Sequence, residues 1–466
     1  AAMKQQKEQT VKQGETYRIE IIDLAHDGEG VGRVDGFTVF VPEALPGDVV
    51  AARVISVKKT YARALIEKIL VRSGQRIIPA CPKAEWCGGC QLAHMDYSHQ
   101  LAWKEKHVRE ALARLGKIEA KVLPIIGMEN PDAYRNKAQF PVGVAAGNLA
   151  MGFYQKRSHQ IVDTDYCRIQ HPLINKGMRT VKQALMDLGI EPYNETAHTG
   201  TVRHAVFRAS FSNNTLMIIF VTCADDLPQQ DQLIARLRSE LSELASVYQN
   251  VNPKVTNVIF GPKSKLLWGE PYIVDQIGEL KFAISPRSFF QVNPVQTKIL
   301  YDLVKNAAAL TGRETVWDLY CGIGTIGLYL AADAARVVGV ESVDEAVADA
   351  HCNAELNGID HARFYVGKAE ELASWLLQEG LHPDVVVVDP PRKGCDPGLL
   401  ATIKTVEVPR LIYVSCNPAT LARDLAILTE YGYQVEYVQP VDMFPDTAHV
   451  ETVVLMSRIS SIKAKE

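Results

Sequence analysis

Val385-Val386-Val387-Val388-Asp389-Pro390-Pro391-Arg392 decides the fold of this chain. Four β-branched residues in a row suit a strand buried on both faces, as strands of a parallel sheet are, and the two prolines end it. A second apolar run, Leu411 to Val414, stops in the same way at Ser415-Cys416-Asn417-Pro418. As neighbouring parallel strands, the two runs bring a carboxylate and a thiol to the carboxyl edge of one sheet. Ligands and chemistry collect there in open α/β folds, so Cys416 is a candidate nucleophile.

The alternation extends outward from these runs. From Asn293 the sequence predicts a helix over 296–310, a strand over 316–320, a glycine turn at Cys321-Gly322-Ile323-Gly324, a helix over 327–335 and a strand over 337–340 ending at Glu341. A last strand is expected near 452–456, and the whole reads as a doubly wound parallel sheet of the Rossmann type. A glycine turn followed by an acidic residue at the end of the second strand suits a nucleoside: the backbone approaches closely and the carboxylate accepts from ribose hydroxyls. Gly327 comes one step late for the dinucleotide pattern, which favours S-adenosylmethionine over NAD. A GxG alone is equally well a structural turn. Cys223, Cys321, Cys352 and Cys395 read as core thiols.

Toward the amino terminus the pattern changes. Runs at 17–24, 37–41, 48–57 and 62–69 with Gly28, Gly30, Gly32, Gly36 and Gly47 between them predict a small β-barrel of the oligonucleotide-binding type. Arg53, Lys58, Lys59, Arg63, Lys68, Arg72 and Arg76 are opposed only by Glu67 in that segment, and a solvated face or a phosphate-tracking surface explains them equally. Cys81, Cys87 and Cys90 crowd together, with Cys167 in a polar turn as a fourth thiol; structural zinc, an iron–sulfur cluster and unliganded thiols all stay open on spacing alone. A helix over 104–115 with Val108, Leu112 and Leu115 on one face leads to an α+β region, with strands expected at 205–211, 216–222 and 257–261 and a helix over 229–244.

Composition bounds the rest. A chain of 466 residues with net charge −4 and nine cysteines is that of a multidomain globular protein rather than a polycation or a secreted disulfide scaffold. No apolar stretch reaches the roughly 18 residues of a membrane span, so a cytoplasmic enzyme with no membrane partner is expected. Ala1 and Ala2 before Met3 read as an expression remnant, and residues 1–13 and 460–466 as frayed ends. The domains expected are 12–71, 72–285 and 286–466.

Taken together the chain resembles the S-adenosylmethionine-dependent RNA uracil-C5 methyltransferases, most closely the bacterial 23S ribosomal RNA group with a TRAM barrel and a [4Fe–4S] cluster. The markers are Cys81, Cys87, Cys90 and Cys167; Ser285-Pro286-Arg287-Ser288-Phe289-Phe290-Gln291-Val292-Asn293; Asp318 to Gly324; Asp389 to Arg392; Ser415 to Pro418; and His449-Val450-Glu451. The resemblance implies Cys416 as nucleophile and Glu451 as base, and Gln291, Tyr320, Glu341 and Asp389 around S-adenosylmethionine. It also implies Phe289 stacked on an extruded base and the four cysteines holding the cluster. The implied class I methyltransferase domain would act as a monomer on a flipped uridine in a single-stranded loop of 23S ribosomal RNA. Tyr134, Arg135, Lys137 and Lys156 are candidate further RNA contacts. The same chemistry on transfer RNA, or a non-catalytic iron–sulfur RNA-binding protein, are the alternatives.

Overall fold

A computed structural model describes residues 11–459 of the chain. It divides into two compact units, one taking the chain up to His107 together with Phe444–His449, the other Val108–Met443 and the chain from Val450 onward. Of the segments expected to fray, 1–13 and 460–466, residues 1–10 and 460–466 lie outside the described residues, whereas Val11 is fully buried in a core.

In the first unit β1 (Thr16–Leu24), β2 (Gly30–Val34), β3 (Phe37–Val41), β4 (Val49–Val57) and β5 (Tyr61–Val71) close a barrel in the order β1-β2-β3-β5-β4. Alternation puts Ile19, Ile21, Val39, Val41, Val50 and Val54 inside. Closure demands Gly32, where a Cβ would stand 2.3 Å from Ile19 Cγ2 and 2.6 Å from Glu20 O. Two cations of the basic segment serve the barrel itself: Arg63 pairs with Glu29 at 2.6 Å, and Arg76 pairs with Asp48. Asp48, with no exposed surface, also accepts from Leu45 N and Ser73 N at 2.8 Å each. Burial raises its pKa, but the Arg76 pair and the two N–H groups outweigh burial, so the carboxyl sits below its usual value. A depressed folded pKa stabilises above the unfolded value and loses that contribution as pH falls. Asp48→Ala is therefore expected to destabilise the barrel by about 3 kcal/mol near neutrality, read as lost hydrogen-exchange protection in β4 and β5. The deficit should shrink as pH is lowered below the usual carboxylate range.

Helix α1 (Tyr97–Arg114) begins earlier than the predicted Lys104, and Leu115 falls past its end with 61% exposure. In the second unit, β6 (Lys137–Ala145), β7 (Asn148–Tyr154), β8 (Ile161–Asp163), α2 (Pro172–Asp187), β9 (Val202–Ala209), β10 (Leu216–Thr222), α3 (Gln230–Glu240), β11 (Leu244–Val251) and β12 (Lys263–Gly269) form a seven-stranded sheet, β12-β11-β10-β9-β6-β7-β8, with two helices packed on it. The helix expected to reach 244 stops at Glu240, because Leu244 already begins β11. Residues 257–261, expected as a strand, form a loop instead. Asn252 Nδ2 donates to Val258 O and Ile259 O at 2.8 and 3.0 Å, and Asn250 Nδ2 donates to Gly261 O at 3.0 Å, so side-chain amides replace a strand ladder.

A hairpin, β13 (Ile273–Ile277) and β14 (Leu280–Ile284), leads to the carboxyl-terminal region. There α4 (Pro294–Ala308), β15 (Thr315–Leu319), α5 (Thr325–Ala331), β16 (Arg336–Glu341), α6 (Asp344–Leu356), β17 (Ala362–Val366), α7 (Ala369–Gln378), β18 (Val385–Val388), α8 (Pro397–Val406), β19 (Arg410–Ser415), α9 (Pro418–Glu430), β20 (Tyr433–Val441) and β21 (Glu451–Arg458) follow in turn. The sheet order is β17-β16-β15-β18-β19-β21-β20. Strands β15 to β19 are parallel, but β21 runs antiparallel to both β19 and β20, which corrects the expectation of an all-parallel sheet. The reason is the connection: residues 442–450 carry no helix, and a stretch that short cannot make a parallel crossover. The chain order reverses between β15 and β18, so the crevice of this sheet opens beside those two strands.

Candidate active site

The crevice is built first from the turn after β15. Tyr320, Gly322 and Gly324 have φ of 62°, 54° and 84°. A tyrosine in the left-handed region is strained, and its hydroxyl is held in place by accepting from Asp396 N at 3.1 Å. Glu341, ending the adjacent β16, accepts from Gly322 N at 3.1 Å and Val343 N at 3.0 Å, so its carboxylate lies against the glycine turn. Gly327, out of register for a phosphate loop, has a packing role. A Cβ there would meet Asp318 Oδ2 and Val337 Cγ1 at 3.0 Å each, and its N–H donates to Asp318 at 2.8 Å. Burial pushes the Asp318 carboxyl up to about 8, and its Oδ1 has no partner among the described residues.

Asp389 and Cys416 follow β18 and β19, which pair in register through Val388 and Tyr413, so both stand at the carboxyl edge as the sequence predicts. Glu451 opens β21. Thr452 pairs with Ser415, which sets Glu451 beside Cys416, and Glu451 is only 3% exposed rather than a surface carboxylate. Burial and then the Glu451 and Asp389 charges push the Cys416 thiol up to about 12, with Arg392 pulling the other way. Burial carries Asp389 up to about 7 and Glu451 well above the carboxylate range. The loop bearing Arg392 is held to α9: its carbonyl accepts from Asn417 Nδ2 and Thr420 Oγ1 at 3.0 Å each. Asp424, which nothing in the sequence marks, anchors the same loop from below by accepting from Cys395 N at 2.8 Å and the Tyr413 hydroxyl at 2.6 Å.

The third wall is the loop between β14 and α4. Asn136 donates its Nδ2 to Gln291 O at 3.0 Å and its N–H to Val292 O at 2.8 Å. Arg208 donates to Ser288 O and Pro286 O, Ser285 and Ser288 bond Asp349, and Phe290 is buried against Phe282. Every neighbour is pinned, yet Phe289 is 70% exposed, an aromatic face offered to solvent on a rigid support. Asn293 caps α4 and donates to Met443 O at 3.0 Å; only its position before Pro294 hints at this in the sequence.

The thiols divide differently. Cys81, Cys87 and Cys90 belong to the first unit and Cys167 to the second, all half-buried. Gly89 N donates to Cys87 Sγ at 3.4 Å, a bond that suits a thiolate ligand, and Asn175 bonds the Cys167 backbone at both N and O. Among the described residues no three Cys, His, Asp or Glu side chains gather as a metal site. Of the expected core thiols, Cys321 and Cys395 are buried, Cys223 is half-buried, and Cys352 is exposed on α6, where helix periodicity alone misplaces it.

A family profile described as tRNA (Uracil-5-)-methyltransferase matches residues 96–459, and one described as TRAM domain matches residues 10–66. The chain belongs to the RNA uracil-C5 methyltransferase family. It is 51% identical to an uncharacterized RNA methyltransferase of Halalkalibacterium halodurans, covering 96% of this chain and 98% of that one. A relative of the same description in Listeria innocua is 47% identical over the same shares. The tRNA (uracil-54, C5)-methyltransferase of Pyrococcus abyssi, solved with S-adenosyl-L-homocysteine, superposes with a TM-score of 0.77 at 30% identity, covering 94% of this chain and 99% of that one. In this methyltransferase no helix among the described residues is long and apolar enough to cross a membrane.

Proposed function

We propose that this uracil-C5 methyltransferase transfers the methyl group of S-adenosylmethionine to C5 of a uridine in 23S ribosomal RNA, acting as a monomer in the cytoplasm. The observation that carries the chemistry is the meeting of Cys416, Asp389 and buried Glu451 at one sheet edge beside a nucleoside-type turn. Uracil C5 is too weak a nucleophile to take a methyl group unaided. The Cys416 sulfur adds to C6, the C5–C6 π electrons become an enolate, and C5 attacks the methyl carbon as the sulfonium bond breaks. Glu451 then removes the C5 proton, the C5–C6 double bond re-forms and the C6–sulfur bond breaks, returning Cys416. A carboxylate whose proton affinity is raised by burial is a stronger base for that step. Gln291, Tyr320, Glu341 and Asp389 are assigned to S-adenosylmethionine, and Phe289 to stacking on the flipped base.

Transfer RNA is the second reading, supported by the Pyrococcus abyssi neighbour, a tRNA (uracil-54, C5)-methyltransferase. Methylation of unmodified 23S and tRNA transcripts side by side, with the product mapped, separates the two. 5-Methyluridine in 23S transcripts supports the first, and its confinement to tRNA the second.

We assign Cys81, Cys87, Cys90 and Cys167 to a [4Fe–4S] cluster on the chemistry of the donor set, four thiols with one N–H donated to sulfur. The role is structural, since no step above needs an electron. Anaerobic purification is expected to give a brown protein carrying iron and sulfide, with its visible absorbance lost in Cys87→Ser. Stoichiometric zinc without iron contradicts the assignment.

A further inference from the structure

The central sheet carries a cavity of about 900 Å³ that none of the catalytic residues lines. Its walls come from β6, the end of β7, the loops at 158–161, 193–196 and 256–259, and Arg203 and His204 of β9. Aromatic faces dominate one side. Tyr154 and His159 stack with centroids 5.0 Å apart at 18°, and the Arg203 guanidinium lies 4.7 Å from the Tyr193 ring centroid. Arg203 is fixed there by donating to Asn252 O and Lys254 O at 2.7 Å each. Polar edges face the same space: Gln139, Gln160, Asn194 and His204. Burial pushes His204 down to about 4, so near neutrality it presents one donor and one acceptor, and its buried Nδ1 has no partner among the described residues. The one acidic side chain on the lining, Glu195, is bonded to His159 at 2.7 Å.

The cavity shares its strands with the catalytic loop. Pro141 of β6 pairs with His204 of β9 at the cavity end, and Lys137 pairs with Arg208 at the other. Arg208 and Asn136 hold the loop that presents Phe289 and Gln291. Four residues of strand, about 13 Å at ~3.3 Å each, separate the two ends. At that second end Lys137 Nζ lies 5.8 Å from the Phe260 ring centroid; burial, and then the Arg208 and Arg135 charges, push the amine down to about 7, and it has no ion pair to a carboxylate among the described residues. An amine held low by burial and two cationic neighbours gains its proton and charge when an anion docks, which suits a phosphate joining two bases, and stacked aromatics edged with amides suit an unpaired base.

We propose that this cavity receives an unpaired nucleobase of the substrate RNA flanking the methylated uridine, with the linking phosphate on Lys137. The proposal rests on the RNA-methyltransferase reading and extends it to a second base-binding site that contributes to target choice.

The test uses full-length protein and a short stem-loop transcript carrying the mapped target uridine, with each flanking nucleotide replaced in turn by an abasic residue. Tyr154→Leu and Gln139→Leu are each expected to weaken RNA binding in a filter assay and raise KM by about tenfold, with kcat and S-adenosylmethionine affinity unchanged. In the wild type one abasic position should cause a loss of the same size, and that substitution should cost Tyr154→Leu nothing further, the non-additivity of groups in contact. Unchanged RNA affinity in both variants overturns the proposal, as do additive losses or a parallel fall in S-adenosylmethionine affinity. A wild type that binds RNA but methylates none strikes the proposed function instead.

Discussion

Glu451→Gln, incubated with unmodified RNA and S-adenosylmethionine, is expected to accumulate a covalent protein–RNA complex that survives denaturing electrophoresis. The amide cannot take the C5 proton, so methyl transfer proceeds once and the C6–sulfur bond then has no means of breaking. Steady-state turnover should fall by about 10² to 10⁴, while the RNA in the trapped complex already carries the methyl group. The position of Glu451 supports this: it is buried at the start of β21, beside Cys416 by strand register. If methylated RNA is released freely at the wild-type rate, Glu451 is not the base.

Cys416→Ala should have the larger effect. Without the thiol no enolate forms at C5, and methylation should fall by at least roughly 10⁴-fold, as when a covalent nucleophile is removed. Binding of S-adenosylmethionine should persist, because Tyr320, Gly322 and Glu341 belong to a different turn. In the wild type, adduct formation should speed up as pH rises through neutrality: burial pushes the thiol up to about 12, so the reactive thiolate fraction grows with each step of pH. A rate that falls with rising pH over that range would mean that sulfur deprotonation does not control addition.

The parts of this site that sequence displays are those set by strand ends. Four valines followed by Asp389, and Leu411 to Val414 followed by Cys416, are read correctly because a buried strand and its proline stop are both local. Glu341 and the glycine turn are legible for the same reason. Burial of Glu451 is not, since it comes from antiparallel pairing with β20 and β19, and pairing partners are not written in local pattern. The same return made the sheet mixed rather than parallel. Asp424 and Asn136 act through bonds to residues far along the chain, and only folded geometry shows them as supports. Charge near the barrel is legible only in part: the sequence leaves Arg63 and Arg76 equally as solvated or phosphate-facing cations, yet each is committed to a carboxylate of its own unit.

The most direct test of the mechanism is the site of covalent attachment. RNA containing 5-fluorouridine at the target position has no C5 proton to lose, so the wild-type enzyme with S-adenosylmethionine should stop as a stable adduct. Mass spectrometry of the digested complex should place the methylated fluorouridine on the peptide bearing Cys416. An adduct on any other residue, or none at all from enzyme that methylates ordinary RNA, would contradict the account.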